Sequence, residues 1–148
     1  MNQPTFLFWQ RWLLAVSVLQ IFVGLLIALA PDSVLFAAHT RALAATWFDG
    51  GLTDDATALR RFFFGIIGGT IAGYFLLQTL IVWIPFRRRE RWAWHAVLWA
   101  LLLWFTVDST MSVRHGALFN VWMINIWPAV LTAVPLAMTR RAFARGPS

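Results

Sequence analysis

Four long stretches without a charged residue constrain this chain more than any other feature of its sequence. They cover residues 12–31, 62–86, 92–107 and 116–139. A helix needs about 20 predominantly apolar residues to cross the hydrocarbon core of a bilayer, and all but the third stretch reach that length. The third becomes long enough only if Asp108 lies inside the helix, so this acidic residue is predicted to be embedded in the membrane.

The composition excludes an ordinary water-soluble domain. Of the 148 residues, 60% are hydrophobic and 12% are charged, whereas about 25% of the residues of soluble domains are charged. The chain has no cysteine, which excludes disulfides, zinc–thiolate sites and a thiolate nucleophile. Its net charge of +6 comes from arginines beside the apolar stretches. We interpret this charge as a determinant of membrane orientation and expect no nucleic-acid partner.

We therefore predict an all-α integral membrane protein, a bundle of four transmembrane helices in a single domain over residues 1–148. The predicted spans lie at about 12–31, 54–84, 92–115 and 117–139. Between the first two spans, Asp32 is expected to cap an interfacial helix that runs from Ser33 to about Phe48. Thr53 is expected to cap the second span, whose first turn carries two aspartates.

Arginine placement predicts the orientation of the bundle. Eight of the twelve arginines fall on one side of the predicted membrane: Arg11, Arg87, Arg88, Arg89, Arg91, Arg140, Arg141 and Arg145. By the positive-inside rule, that side and both termini are cytoplasmic. The expected partners are the lipid bilayer and, at these arginines, anionic lipid headgroups. The absence of lysine suggests a GC-rich bacterial genome and hence a bacterial inner membrane.

Three glycines of the second span predict a close helix contact. Gly65, Gly69 and Gly73 recur at four-residue spacing, with Gly68 beside them. This spacing gives a smooth strip along one helix face, which lets another helix approach closely. The partner is another helix of this chain, our first expectation, or a second subunit, which would make the protein a homo-oligomer.

The last two spans form a hairpin whose polar residues are predicted to meet. Gly116 provides the turn, and Asp108 and Asn125 lie eight residues before it and nine after it, hence at similar depth. We therefore predict a polar cluster in the outer half of the bundle, built from Asp108, Ser112, Asn120 and Asn125.

Asp108 carries two competing interpretations of this cluster. An acidic side chain among apolar helices costs at least ~2.5–3.5 kcal/mol on insertion scales, so it needs a partner or a function. Arg61 or Arg114 is the expected counter-ion, and His115 shares one helix face with Asp108. The carboxylate then either fastens two helices through an arginine or binds a cation or proton. No catalytic residue is predicted, because Asp108, Ser112 and His115 on one helix face cannot aim at a common substrate atom.

Four tryptophans inside the last two spans form a second group of candidates. They are Trp99, Trp104, Trp122 and Trp127. They could line an apolar pocket for a quinone, a pigment, a lipid tail or an aromatic solute, but the favoured interpretation is that they are bulky lipid-facing or core residues. No metal site and no cofactor are predicted, since His39, His115 and Asp108 lack the spacing of metal ligands.

These features favour a non-enzymatic membrane protein that acts through helix packing, as a small accessory, scaffold or self-associating subunit. The first alternative is a small proton- or cation-coupled transporter or channel protomer that uses Asp108. The second alternative is a membrane enzyme or cofactor binder for an apolar substrate.

Overall fold

The computed structural model describes residues 2–144, and the regular elements in that range are all helical. We label five helices: α1 Gln3–Leu29, α2 Ala37–Trp47, α3 Asp54–Phe86, α4 Arg91–Arg114 and α5 Leu118–Ala144. All except α2 are long and apolar enough to cross a membrane, which confirms the prediction of four membrane-length helices. Arg145, which contributes to the predicted orientation, lies outside the described residues.

Side-chain caps explain where α1 and α3 begin. The Asn2 side chain accepts a hydrogen bond of 3.1 Å from the Thr5 backbone N–H, so α1 begins well before the uncharged stretch. Thr53 Oγ1 accepts a hydrogen bond of 3.2 Å from the Ala56 backbone N–H, which confirms the predicted cap. Such caps satisfy backbone donors that have no partner inside the helix.

The connection from α1 to α3 folds into a 3-10 turn at Val34–Phe36, followed by α2. The Ser33 hydroxyl caps this turn by accepting a backbone hydrogen bond of 3.4 Å. Asp32, the predicted cap, pairs instead with arginines of α3. Asp49 and Gly50 follow α2 in left-handed conformations, with φ angles of 50° and 89°, and such residues end a helix.

The four long helices form a bundle in which α1 packs between α3 and α5. α4 packs against α5 and meets α3 mainly near the short connection between them. We call the end that carries Gln3, residues 87–90 and Ala144 the terminal end. The opposite end, which carries residues 30–53 and 115–117, is called the loop end.

The hydrophobic core lies in the half of the bundle next to the terminal end. Its buried side chains are Phe6, Leu13, Val82, Phe86, Ala93, Val97, Leu101, Leu136 and Phe143. The rings of Phe6, Phe86 and Phe143 meet in this core with centroids 4.7 to 6.2 Å apart, which is typical of attractive aromatic pairs. Arg89 covers the core from the terminal end, with its guanidinium carbon 4.6 Å from the centre of the Phe6 ring.

α1 and α3 approach closely where glycine faces glycine. A Cβ atom added to Gly68 would lie 2.5 Å from the backbone oxygen of Gly24, so a larger residue would push the helices apart. At Gly65, Gly69 and Gly73, an added Cβ atom would meet no atom within 4 Å. The expectation that this strip packs inside the chain is therefore wrong. Gly68 faces α1 instead, and one residue is a turn of about 100° around a helix.

Buried polar side chains join the same two helices. Gln78 Nε2 of α3 donates a hydrogen bond of 2.9 Å to Ser17 Oγ of α1. Nearer the terminal end, Gln10 Nε2 donates to the Val82 carbonyl at 3.2 Å. Val82 begins a π-helical turn that contains Pro85, so Gln10 satisfies a carbonyl in an irregular part of α3.

Large apolar side chains cover the outside of the bundle. Phe22, Phe62, Leu103 and Trp127, one from each long helix, are between 60% and 69% exposed. A continuous apolar surface of this kind would aggregate in water, whereas lipid solvates it. The surface therefore agrees with four membrane-length helices.

Replacing Gly68 by alanine is expected to destabilise the bundle by about 1–3 kcal/mol, because the methyl group would collide with backbone atoms. Gly69→Ala is the matched control, since a methyl group there meets no atom of residues 2–144 within 4 Å and alanine is small enough for a close contact with a second chain. Thermal unfolding in detergent should give a lower Tm for Gly68→Ala and an unchanged or higher Tm for Gly69→Ala. Equal Tm values for the two variants would contradict the close contact of α1 with α3.

Candidate functional site

A polar cluster centred on Asp108 lies at the loop end, between α4 and α5. Asp108 Oδ1 accepts a hydrogen bond of 3.3 Å from Ser112 Oγ, one helical turn later. The Nδ2 atoms of Asn120 and Asn125 donate to the same oxygen, at 3.1 and 2.8 Å. Asn120 also donates to Ser112 Oγ at 2.9 Å, and Asn125 donates to Ser109 Oγ at 3.2 Å. The structure thus brings together the four polar residues selected from the sequence and adds Ser109; we call these five residues the Asp108 cluster.

A π-helical turn near the start of α5 explains how two asparagines reach one carboxylate. In a regular α-helix, residues five positions apart point about 140° apart around the axis. Val121–Asn125 form a π turn instead, and the Ile126 N–H donates to the Val121 carbonyl, five residues earlier. Residues five apart lie much closer to one face in such a turn, because its N–H groups bond to carbonyls five residues earlier. Asn120 and Asn125 therefore share the face toward α4.

Asn125 is the most deeply buried member of the cluster. Its side chain is 0% exposed, and its Nδ2 group donates to Asp108 and Ser109. Its Oδ1 atom is buried and has no hydrogen-bond partner among residues 2–144. The cluster therefore retains an unsatisfied acceptor, and a buried carbonyl oxygen without a donor costs about 1–3 kcal/mol.

α2 covers the Asp108 cluster through His39. His39 Nε2 lies 3.4 Å from Asn120 Oδ1. Because Asn120 Nδ2 donates within the cluster, its Oδ1 is the acceptor, and His39 Nε2 must carry the proton. Trp47 Nε1 provides a second link by donating to the His115 carbonyl at 3.2 Å. Both contacts hold α2 over the turn between α4 and α5.

His39 favours its neutral form. Burial lowers its pKa from the ordinary value of 6.5, and the charge of Arg60 lowers it further, although the hydrogen bond with Asn120 acts in the opposite direction. The proton on Nε2 leaves Nδ1 as an acceptor, and this buried atom has no hydrogen-bond partner. The ring packs 5.7 Å from the ring of Phe64. A second proton on His39 would therefore place a positive charge in apolar surroundings near Arg60.

The arginine predicted as a counter-ion of the cluster pairs with another acid. Arg61 Nε donates to Asp32 Oδ2 at 2.8 Å, and Arg60 binds the other oxygen of the same carboxylate. Arg60 Nη1 also donates to the Pro31 carbonyl at 3.1 Å. These contacts fasten the end of α1 to the first turns of α3.

Asp108 consequently has no basic side chain as its counter-ion among residues 2–144. The ion pairs in that range both involve Asp32. Arg114 and His115 are exposed at the end of α4. The prediction of an arginine counter-ion is therefore wrong for both candidates, and amides and hydroxyls surround the carboxylate instead.

The tryptophans selected as an apolar pocket do not converge on one. Trp99, Trp122 and Trp127 are 65%, 63% and 64% exposed on the outside of the bundle. Trp104 alone packs against the hydrophobic core. The pocket prediction is therefore wrong, because these side chains point to different surroundings, and the exposed three form part of the apolar outer surface.

Two members of the polar network, Ser109 and His39, are missing from the sequence-based group. Ser109 is one residue from Asp108 and so lies on a different helix face, but Asn125 donates to both side chains. His39 belongs to a helix that the sequence predicts, and only its position over the hairpin brings it to Asn120.

The Asp108 cluster combines one carboxylate with amides and hydroxyls. Oxygen atoms of these types suit protons, water and hard cations rather than thiophilic metals. In the part of the chain that the structure describes, no three His, Asp or Glu side chains gather as a metal-binding group.

Comparison of the chain with protein-family models, with curated proteins and with solved structures finds no match.

Lowering the pH from about 8 to about 5.5 is expected to destabilise the protein through His39. Its pKa is lowered in the folded state, so the stability contributed by the neutral ring is present above the unfolded pKa and is lost as the pH falls through the folded pKa. His39→Gln, which keeps an amide donor for Asn120, should give a flatter profile of Tm against pH. A variant whose Tm falls as steeply as that of the wild type would contradict this role.

Proposed function

We propose that this protein is a small, non-enzymatic, multi-pass protein of a bacterial inner membrane that acts through helix packing, as a self-associating or accessory subunit. The observation that carries the proposal is the open glycine face of α3. A Cβ atom added at Gly65, Gly69 or Gly73 would lie within 4 Å of no other helix of residues 2–144, and the exposed apolar side chains of Phe62 and Leu76 continue the same face.

The contact between α1 and α3 supports this use of the glycine face. Inside the chain, Gly24 and Gly68 already let two helices approach until their backbones touch. Lipid tails are as apolar as leucine, so membrane helices associate through such close packing rather than through a hydrophobic driving force. A second copy of α3 could use Gly69 in the same way, which makes a homo-oligomer the preferred assembly.

The proposed orientation places the terminal end in the cytoplasm and α2 at the outer interface. The arginine excess at the terminal end supports it. Trp12, Trp83 and Trp92 add support, because they are exposed near the same end of three different helices, as tryptophans at a membrane interface are.

Anionic lipid headgroups are the proposed partners of the terminal end. Two of its arginines serve internal contacts, since Arg89 packs over Phe6 and Arg91 donates to the Ala144 carbonyl. The exposed arginines there are Arg11, Arg87, Arg88, Arg91, Arg140 and Arg141. Charges of this kind near a membrane surface attract phosphate headgroups.

A cation-coupled transporter is the second candidate, and one observation favours it. Asp108 has no basic partner among residues 2–144, which is characteristic of intramembrane acids that bind ions. The buried polar residues Ser17, Gln20 and Gln78 lie on α1 and α3, whereas Asp108 lies against α5. Transport would need a continuous polar path across the bundle, and these two groups of polar residues lie on different helices. Helix packing therefore remains the first proposal.

Gly69→Ile is expected to reduce self-association about tenfold or more, because a branched side chain would hold the partner helix away. Native mass spectrometry and cross-linking of the purified protein measure the fraction of oligomer. Thr70→Ile is the matched control, since Thr70 is exposed on a different face of α3. A wild-type protein that is monomeric in lipid nanodiscs, or a Gly69→Ile variant that associates normally, would contradict the proposal.

The absence of cysteine makes the orientation directly testable. In intact cells, a membrane-impermeant maleimide should label Gly51→Cys at the loop end, whereas Ala144→Cys at the terminal end should react only after permeabilisation. Unlabelled wild-type protein is the background control. The reverse pattern of labelling would place the termini outside.

A further inference from the structure

The charge of Asp108 is not cancelled by any contact within residues 2–144, where both ion pairs belong to Asp32. Ser112, Asn120 and Asn125 direct neutral donors at its Oδ1 atom. These donors replace part of the lost hydration, but they add no positive charge. A carboxylate in apolar surroundings therefore still favours a positively charged partner.

The atoms of this site that lack a partner are acceptors. All hydrogen bonds on Asp108 within the described chain fall on Oδ1, so Oδ2 has none. Asn125 Oδ1 is buried without a donor, in a side chain that is 0% exposed. Asn125 Nδ2 and Asp108 Oδ1 form a hydrogen bond of 2.8 Å, and the two free oxygens belong to the same two groups. A buried carbonyl oxygen without a donor and an accessible carboxylate oxygen, beside an uncancelled negative charge, are complementary to a cation.

We propose that Asp108 Oδ2 and Asn125 Oδ1 bind a small monovalent cation, Na⁺. One carboxylate matches one positive charge, and amide and carboxylate oxygens are ligands for hard cations. The buried amide of Asn125 admits a bare ion more readily than an organic ammonium. Asp108 is half-buried, so its carboxylate remains partly accessible. This binding is separate from self-association, since α3 contributes no residue to it.

The experiment measures the Tm of the full chain in a non-ionic detergent while NaCl replaces choline chloride at constant ionic strength. Because an ion that binds only the folded state stabilises it, Tm should rise by about 3 °C or more between about 1 and about 300 mM Na⁺. Asp108→Asn keeps the shape of the side chain but removes its charge, so this variant should lose the rise. A wild-type Tm that is the same in Na⁺ and in choline would overturn the proposal, as would an Asp108→Asn variant that retains the full rise.

A control variant separates ion binding from general stability. Ser17→Ala removes a buried hydroxyl that binds Gln78 away from the site, so it should lower the Tm but keep the rise with Na⁺. If Asp108→Asn does not fold, equilibrium dialysis of the wild-type protein with radioactive sodium replaces it. About one bound ion per chain, competed by unlabelled Na⁺ but not by choline, is then expected. No bound sodium would overturn the proposal.

Discussion

An acidic side chain between apolar helices is the constraint on which the loop end of this protein depends. The Asp108 carboxylate loses hydration there, and three donors on its Oδ1 atom replace part of it. The donors come from both helices of the hairpin. Because losing these hydrogen bonds would leave the carboxylate without donors, they hold α4 and α5 in one register. His39 extends the network to α2 through Asn120. One hydrogen-bond network therefore joins Asp108, the hairpin of α4 and α5, and α2.

Different forces stabilise the two halves of the bundle. Aromatic rings and aliphatic side chains fill most of the terminal half, where the amides of Gln10 and Gln78 add polar contacts between α1 and α3. In the loop half, the amides, hydroxyls and carboxylate of the Asp108 cluster join α4 to α5. Also in the loop half, the contact of Gly24 with Gly68 brings α1 onto α3. This contact uses one face of α3 and leaves the face of Gly69 open. The proposed association through α3 and the proposed ion binding between α4 and α5 thus use separate helices.

Much of the fold is predictable because lipid permits few alternatives. Backbone groups cannot bond to water inside a bilayer, so apolar segments of about 20 residues become helices. The meeting of Asp108 with Asn125 is also predictable, because both lie at similar distances from the turn at Gly116. The counter-ion is not, because Arg61 is held by Asp32, and that pairing depends on how α1 packs against α3. The tryptophan pocket fails for a similar reason, since length and hydropathy do not say which side of a helix faces lipid.

By itself, the sequence determined the helical class, the number of membrane-length helices and the cap at Thr53, because hydropathy and capping act between neighbouring residues. Only the tertiary structure decided which glycine meets another helix and which amides reach Asp108. Those outcomes depend on how each helix is rotated about its axis, and one residue is about 100° of rotation. That single step separates the packed Gly68 from the open Gly69. In α5, the π turn at Val121–Asn125 changes the rotation again, and it brings two asparagines to one carboxylate.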